Sequence, residues 1–530
     1  MSLAPTFFFR RPPSRRPPAL RPLFLLALCL LAAAPARAQN PGRAGSAISA
    51  VFPFSFADIP ASVSPEAAPF FPDAPDAPGA GVDGGVAAGA RRLLDGTRED
   101  GEALRRLFSP AGPAPRGFPL DGGGTGGRGP SVVGETDDLG FLTAPRVSSG
   151  PAVYELPATV PGPLVGRDCL VRVVAVGDVL IHDSVRQAAE TDGAYDFSPN
   201  FEHVRQILSR GDLVVANLEN PLAGNDRRLA GYPVFNAPVE LAVDLREAGF
   251  TMVTLANNHS MDRGASGLAH TIKTVDAAGL EYAGAYLDPD DKRRRLVGVF
   301  NGVKIAVLAY AYGLNGLAPP KPADKLLLGL IDLPSIFADM REARSQGADF
   351  VIVALHFGEE YQRTPDRRQL KLVEDIFRGL PEEGLAGPDL IFGHHPHVVQ
   401  PFFFLKGPPG GPGQAVIYSL GNFMSGQPFP HTYTGLIMEV ELRLLADGRR
   451  TAGPFRFTPT YCLTDVADGR RFYKVVPMGS AAQNPEAYGL SPARGEMMTR
   501  TRDEMEEHVM SLVEKARRDA EAEQQRAGAK

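Results

Sequence analysis

Residues 388–397 read PDLIFGHHPH. Leu390, Ile391 and Phe392 form a short apolar run of the kind that fills a buried strand, and the run ends in His394, His395 and His397. Those three come from only 10 histidines in a chain of 530 residues. On an extended segment His395 and His397 are two positions apart and face one side. Pro396 restricts His395 toward extended backbone. His394 is then expected to face the other way, as packing or as outer support. A single His-x-His is a weak signal, so its weight depends on what surrounds it.

Outward from this stretch the chain alternates. Strands are predicted over 169–178, 212–219, 250–259, 348–358, 388–397, 414–423 and 435–445, with a hairpin over 298–313 turning at Asn301-Gly302. Helices are predicted over 201–211, 238–249, 264–279, 333–347 and 365–380. Such alternation argues for an α/β fold with covering helices. Strand after strand also ends in donor residues: Asp178 with His182 close behind, Glu219, then Asn257, Asn258 and His259, then His356 with Glu359 and Glu360, then the histidine cluster. Binding sites in α/β sheets lie beyond the carboxyl ends of the strands, so five separate stretches are expected to meet. Mixed carboxylate, amide and imidazole donors suit divalent Mn, Fe or Zn, one ion or two.

The flanks read differently. Residues 1–38 have the form of a signal peptide: Arg10, Arg11, Arg15, Arg16 and Arg21, an apolar run from Leu23 to Ala34, and Ala36-Arg37-Ala38 as a small-x-small cleavage site. The apolar run is short for a membrane span. A periplasmic or secreted location follows, or a membrane-anchored one if the segment stays uncleaved. Cys29 as a lipid anchor is disfavoured by the bulk of Leu28. Residues 39–166, with FFPDAPDAPGAGVDGGVAAGA and DGGGTGGRGP, are too rich in Pro, Gly and Ala to bury a core and read as a mostly disordered linker. Residues 495–527 read as one amphipathic helix with Met505, Val509, Leu512, Val513 and Ala516 on a face. It packs on the domain or on a partner, or stands as a free polar helix. Cys169 and Cys462 remain after cleavage and either pair in an oxidising compartment or are two unrelated buried thiols. A net charge of −6 argues against a nucleic-acid partner.

Six motifs in order, AVGDVLIHDSV, VVANLENPL, TLANNHSMDRGASGL, LHFGEEY, GHHPHVVQP and IYSLGNF, resemble those of the CapA family, capsule-synthesis proteins associated with poly-γ-glutamate. The likeness runs over roughly 170–445, within a domain placed at 167–475. The resemblance implies a four-layer α/β/β/α sandwich of the calcineurin-like metallophosphoesterase type. It implies Asp178, Glu219, Asn258, His356, His395 and His397 as metal ligands and His259 as general acid. His182, Asn257, Asp262, Arg263, Glu359, Glu360, Tyr361, His394 and Asn422 are candidates for outer support or substrate contact. Arg263 is equally well read as a surface arginine, and Glu359, Glu360 and Tyr361 as a solvated loop. The sequence departs from the superfamily pattern at the first strand, where Leu180 stands in place of the histidine of Asp-x-His, and at Glu219, a longer side chain than the usual bridging aspartate. The implied chemistry is attack of metal-activated water on phosphorus or a carbonyl. The implied partners are a cell-envelope or capsular polymer and other capsule-synthesis membrane proteins. A non-catalytic factor for assembly or export of an anionic polymer is the alternative.

Overall fold

Cys169–Leu180 (β2) begins with a run of β-branched residues that fits a pleated surface buried on both faces. Val171, Val173 and Ala175 point into one apolar cluster, and Val174 and Val176 into a second. The next parallel strand, Leu213–Leu218 (β3), does the same, with Leu213 and Val215 on one side and Val214 and Ala216 on the other. A strand apolar on both faces must be covered on both, and that requirement sets the layers. The computed structural model describes residues 152–154, 168–405, 413–467 and 469–528. The expected signal segment lies outside these residues, as does the expected linker apart from Ala152–Tyr154 (β1), which is a strand.

A nine-stranded sheet contains β1, β2, β3, Met252–Thr254 (β4) and Glu281–Ala283 (β5), together with strands from late in the chain. A six-stranded sheet contains Val297–Phe300 (β6), Val303–Ala311 (β7), Phe350–His356 (β8), Leu390–His394 (β9), Val399–Leu405 (β10) and Gln414–Leu420 (β11). In the first, β2, β3, β4 and β5 are parallel. In the second, β7, β8, β9 and β11 are parallel, flanked by antiparallel β6 and β10. The chain leaves the six-stranded sheet at Leu420, turns through Gly421 (φ 67°) and joins the nine-stranded one as Asn422–Ser425 (β12), parallel to β2. Thr434–Leu444 (β13), Arg450–Ala467 (β14) and Arg470–Pro477 (β15) complete that sheet, β13 pairing with β2 and β1 with β14.

Asp183–Ala189 (α1), Glu240–Ala248 (α2) and Gly264–Ala277 (α3) bury Val185, Leu245 and Ile272 against the outer face of the nine-stranded sheet. Leu333–Ser345 (α4) and Arg367–Arg378 (α5) bury Met340 and Val373 with the six-stranded sheet. The result is the expected α/β/β/α sandwich. The C-terminal helix, Pro492–Gly528 (α6), adds Met505, Val509 and Val513 to the same core, and His508 Nε2 lies 3.0 Å from the Arg363 carbonyl and 3.2 Å from that of Val399 on edge strand β10. It therefore packs on the domain.

Several expectations are corrected. The 201–211 helix is two short turns, Ser198–Phe201 and Arg205–Leu208, although Phe201, Val204 and Leu208 are buried with helical spacing. The 250–259 strand stops at Thr254, so Asn257, Asn258 and His259 are presented from a loop. Strands β14 and β15 lie beyond the last one predicted. The two cysteines are not bonded to each other. Cys462 is buried with Sγ 3.4 Å from the Ser425 carbonyl, whereas Cys169 opens β2 opposite Leu444.

Candidate metal centre

Parallel register brings the strand ends together. Asp178 on β2 stands opposite Asn217 on β3 and Asn422 on β12, and His356 on β8 stands opposite His394 on β9. Two glycines allow the close approach. A Cβ on Gly177 would lie 1.8 Å from the Gly421 carbonyl oxygen, and one on Gly393 would lie 1.9 Å from that of Tyr418. Each precedes a donor residue, Asp178 or His394, so the absence of a side chain lets the two ends stack.

Beyond His394 the strand ends, and His395 (φ 97°) and His397 (φ 60°) adopt left-handed backbone. Such non-glycine conformations cost on the order of 1–3 kcal/mol each and gather at functional sites. They also break the strand alternation. The expectation that His394 faces away is thereby overturned: its Nδ1 lies 3.2 Å from Asp178 Oδ1, a close contact without good hydrogen-bond angles. His397 Nδ1 is 3.2 Å from Asp178 Oδ2, and the His395 backbone N–H donates to the same oxygen at 3.4 Å. All three histidines crowd one carboxylate.

The remaining donors close around them. Three overlapping groups have ligand atoms within 4.8 Å of one another: Asp178, Glu219 and His397; Glu219, His356 and His395; and Glu360, His395 and His397. Asn258 Oδ1 lies 2.8 Å from His356 Nε2. Asn217, which sequence reasoning missed, donates Nδ2 to Asp178 Oδ1 at 2.8 Å and sits 3.3 Å from His356 Nδ1. It precedes Glu219 by two positions, so strand alternation places both on one face. Tyr312, also missed, packs its ring 4.6 Å from that of His395.

Burial pushes the Asp178 carboxyl up, but the His394 and His397 imidazoles outweigh it and hold the group well below the usual range. Burial and the Asp178 charge push Glu219 up to about 8. Burial opposes protonation of His397, yet Glu219 and Asp178 raise it to about 9. Burial holds His356 and His395 well below the ordinary histidine value. Glu219 Oε1 and His395 Nδ1 are buried without a hydrogen-bond partner, which buried polar atoms rarely tolerate. Two buried carboxyl groups among imidazoles, with donor atoms left unsatisfied, fit a divalent cation.

The other candidates have distinct places. His259 Nδ1 lies 2.9 Å from Asp262 Oδ2, and its ring packs edge-on against Phe235 at 4.7 Å. Asp262 thus fixes the protonated nitrogen and leaves Nε2 for proton exchange. Asn257 supports the loop, bonding the Leu218 carbonyl (2.9 Å) and the His259 amide (3.1 Å). Asn422 Oδ1 lies 3.1 Å from His397 Nδ1. His182 packs edge-on with Phe235 (5.3 Å) and joins none of the donor groups among the described residues. The Arg263 guanidinium donates to the Phe235 and Val234 carbonyls at 2.8 and 2.7 Å, so it holds the loop carrying Phe235. Glu359, Glu360 and Tyr361 are exposed, with the Tyr361 ring 6.2 Å from that of His397.

Comparison with known proteins places this site in a family. The sequence model described as "Bacterial capsule synthesis protein PGA_cap" matches residues 172–427, a span containing all of these donors. Capsule biosynthesis protein CapA of Bacillus anthracis is 32% identical over 277 residues, covering 51% of this chain and 63% of that protein. PGA biosynthesis protein CapA of Bacillus subtilis (strain 168) is 30% identical over 298 residues, covering 54% of this chain and 70% of that protein. The chain thus spans roughly two thirds of the length of these relatives. Among solved structures, sulfate thiohydrolase SoxB of Thermus thermophilus aligns with a TM-score of 0.29 at 14% identity over 67% of this chain and 57% of that one, too weak a likeness to support an argument. The chain belongs to the CapA family of bacterial capsule synthesis proteins.

Proposed function

We propose that this protein serves capsule, poly-γ-glutamate or related cell-envelope polymer synthesis outside the cytoplasm, as a divalent-metal-dependent hydrolase of the phosphoesterase type. The observation that supports it most is the meeting of Asp178 and Glu219 from one sheet with His356, His395 and His397 from the other, at the edge of an open cleft of about 880 Å3. Asp178, Glu219 and His397 would hold one ion, and Glu219, Asn258, His356 and His395 a second. A bound ion supplies Lewis acidity toward a phosphoryl or carbonyl oxygen and acidifies water.

The chain's own residues do the rest. His259, oriented by Asp262, gives its proton to the leaving oxygen. Asn217 and Asn257 fix the strand ends that carry Asp178, Glu219 and His259. The cleft runs from His395 past Glu360 and Tyr361 to the start of α5, where Arg367, Arg368 and Lys371 lie between Asp366 and Asp375. The basic and apolar start of the chain supports a periplasmic or secreted location, and capsule-synthesis membrane proteins are the natural partners there.

One observation favours the alternative, a non-catalytic assembly or export factor. Leu180 is buried and apolar where the superfamily has a ligand, so one metal position has fewer donors. A His259→Gln variant separates the readings. A hydrolase keeps its metal and loses turnover of bis(p-nitrophenyl) phosphate by at least about 100-fold. An assembly factor shows no turnover in the unsubstituted protein, and the variant supports normal polymer yield.

A further inference from the structure

We propose that Glu360 is a metal ligand: its carboxylate is a fourth donor on the His397 side of the centre, standing in for the ligand that Leu180 cannot supply. This rests on the reading of the centre as a divalent-metal site.

The deficit is specific. Asp178, Glu219 and His397 form a three-donor group, and Leu180, two positions after Asp178, lies in the apolar interior at 1% exposure. His182 does not make up for it. Its Nδ1 faces the Leu180 carbonyl and the Gly426 amide, each at 3.3 Å, and it belongs to none of the donor groups among the described residues. From the opposite sheet, an oxygen of Glu360 and ring nitrogens of His395 and His397 lie within 4.8 Å of one another. One carboxylate and two imidazoles are a donor set for Mn, Fe or Zn.

Glu360 is exposed, but its loop is not loose. The Tyr361 amide donates to the Pro396 carbonyl at 2.8 Å, tying the loop to the residue between the two histidines. Gln400 Nε2 donates to the Gln362 carbonyl at 2.8 Å. Gly358 has φ 107°, and a Cβ there would lie 2.6 Å from the buried Gln369 side chain, which itself bonds Gln400 at 2.8 Å. The backbone on both sides of Glu360 is thus registered against the histidine turn. His395 Nδ1 is buried and unpartnered. Neighbouring Glu359 is equally exposed and belongs to none of the donor groups, so exposure alone does not single out Glu360. Because Glu360 lines the open cleft together with His395, the position it completes faces incoming substrate.

Manganese(II) alone is the probe, bound to the full chain and read by equilibrium dialysis and low-temperature electron paramagnetic resonance. The unsubstituted protein is expected to hold a spin-coupled pair of ions. Glu360→Gln should weaken the ion on the His397 side at least about 10-fold and convert the signal to that of an isolated ion. The retained ion on the His356 side reports an intact fold. Glu382→Gln, an exposed acid outside the site, should match the unsubstituted protein. A Glu360→Gln protein that binds a coupled pair with unchanged affinity overturns the proposal and leaves the metal reading standing. So does a single ion in the unsubstituted protein whose affinity Glu360→Gln does not alter. No manganese in the unsubstituted protein overturns both.

Discussion

The two sheets bring different chemistry to one meeting line. The nine-stranded sheet contributes Asp178, Asn217, Glu219 and Asn258, all oxygen donors or amides, from the ends of β2, β3 and β4. The six-stranded sheet contributes His356, His394, His395 and His397 from the ends of β8 and β9. Each set is unfavourable alone. Asp178 and Glu219 repel each other in a buried setting, and Glu219 is pushed up to about 8. His356 and His395 are buried away from water and resist protonation. Joined, they make one mixed oxygen and nitrogen donor set for a cation, so the centre depends on the layer where the sheets pack. Phe402 on β10 bridges that layer, its ring 5.1 Å from Phe455 and 5.0 Å from Phe457 on β14.

That contrast can be broken at graded points. The largest effect is expected from Glu219→Gln, because Glu219 is the carboxylate shared by two donor groups; metal analysis should return background levels. Next is Phe402→Ala, which opens a cavity between the sheets and should cost about 3–5 kcal/mol in denaturant unfolding, with metal affinity falling alongside stability. If affinity stayed intact despite that loss, the packing layer would not be what holds the donors. A smaller change is expected from His394→Ala. Its imidazole lies against Asp178 and is absent from the close donor groups, so metal affinity should fall about 10-fold, as for residues that orient a ligand. His395→Ala should fall further, and equal losses would mean that His394 ligates directly.

The smallest effect concerns α6, whose His508 is seated on the six-stranded side. His508 is held down to about 4, chiefly by burial and by Arg363, against its carbonyl contacts and Glu504. His431, within the field of the same Arg363 and Glu504, is the other titratable neighbour. A histidine depressed below its ordinary ~6.5 is protonated first in the undocked helix. Docking is therefore at full strength above pH ~6.5 and weakens by roughly 1–3 kcal/mol as the pH falls toward 4. Hydrogen-exchange protection of α6 should drop over that window while that of β7 holds, and His508→Gln should flatten the change.

Much of this architecture was legible because it rests on short-range rules. Apolar runs gave β2, β3, β8 and β9, and donors at their carboxyl ends pointed to a single site. The misses have physical causes. Strand alternation misplaced His394, since the left-handed turns at His395 and His397 are not encoded by any glycine or asparagine signal. Strands β14 and β15 intersperse arginines, prolines and threonines among the buried Phe455, Phe457 and Tyr473, so they present no continuous apolar run. Asn217 was readable from its spacing to Glu219 and was passed over as a strand interior residue. The part Arg263 plays in holding a loop was not legible because its partners, the Phe235 and Val234 carbonyls, are backbone groups distant in sequence. The crossing of the chain between sheets at Gly421 turns one predicted strand into two and brings Asn422 beside Asp178.

The most direct measurement is anomalous diffraction at the manganese edge from crystals of the manganese-loaded protein. The account predicts anomalous density enclosed by Asp178, Glu219, His356, His395 and His397, with His259 beside it and paired to Asp262. Density bound elsewhere on the chain, or a loaded crystal in which these five side chains enclose none, would contradict it.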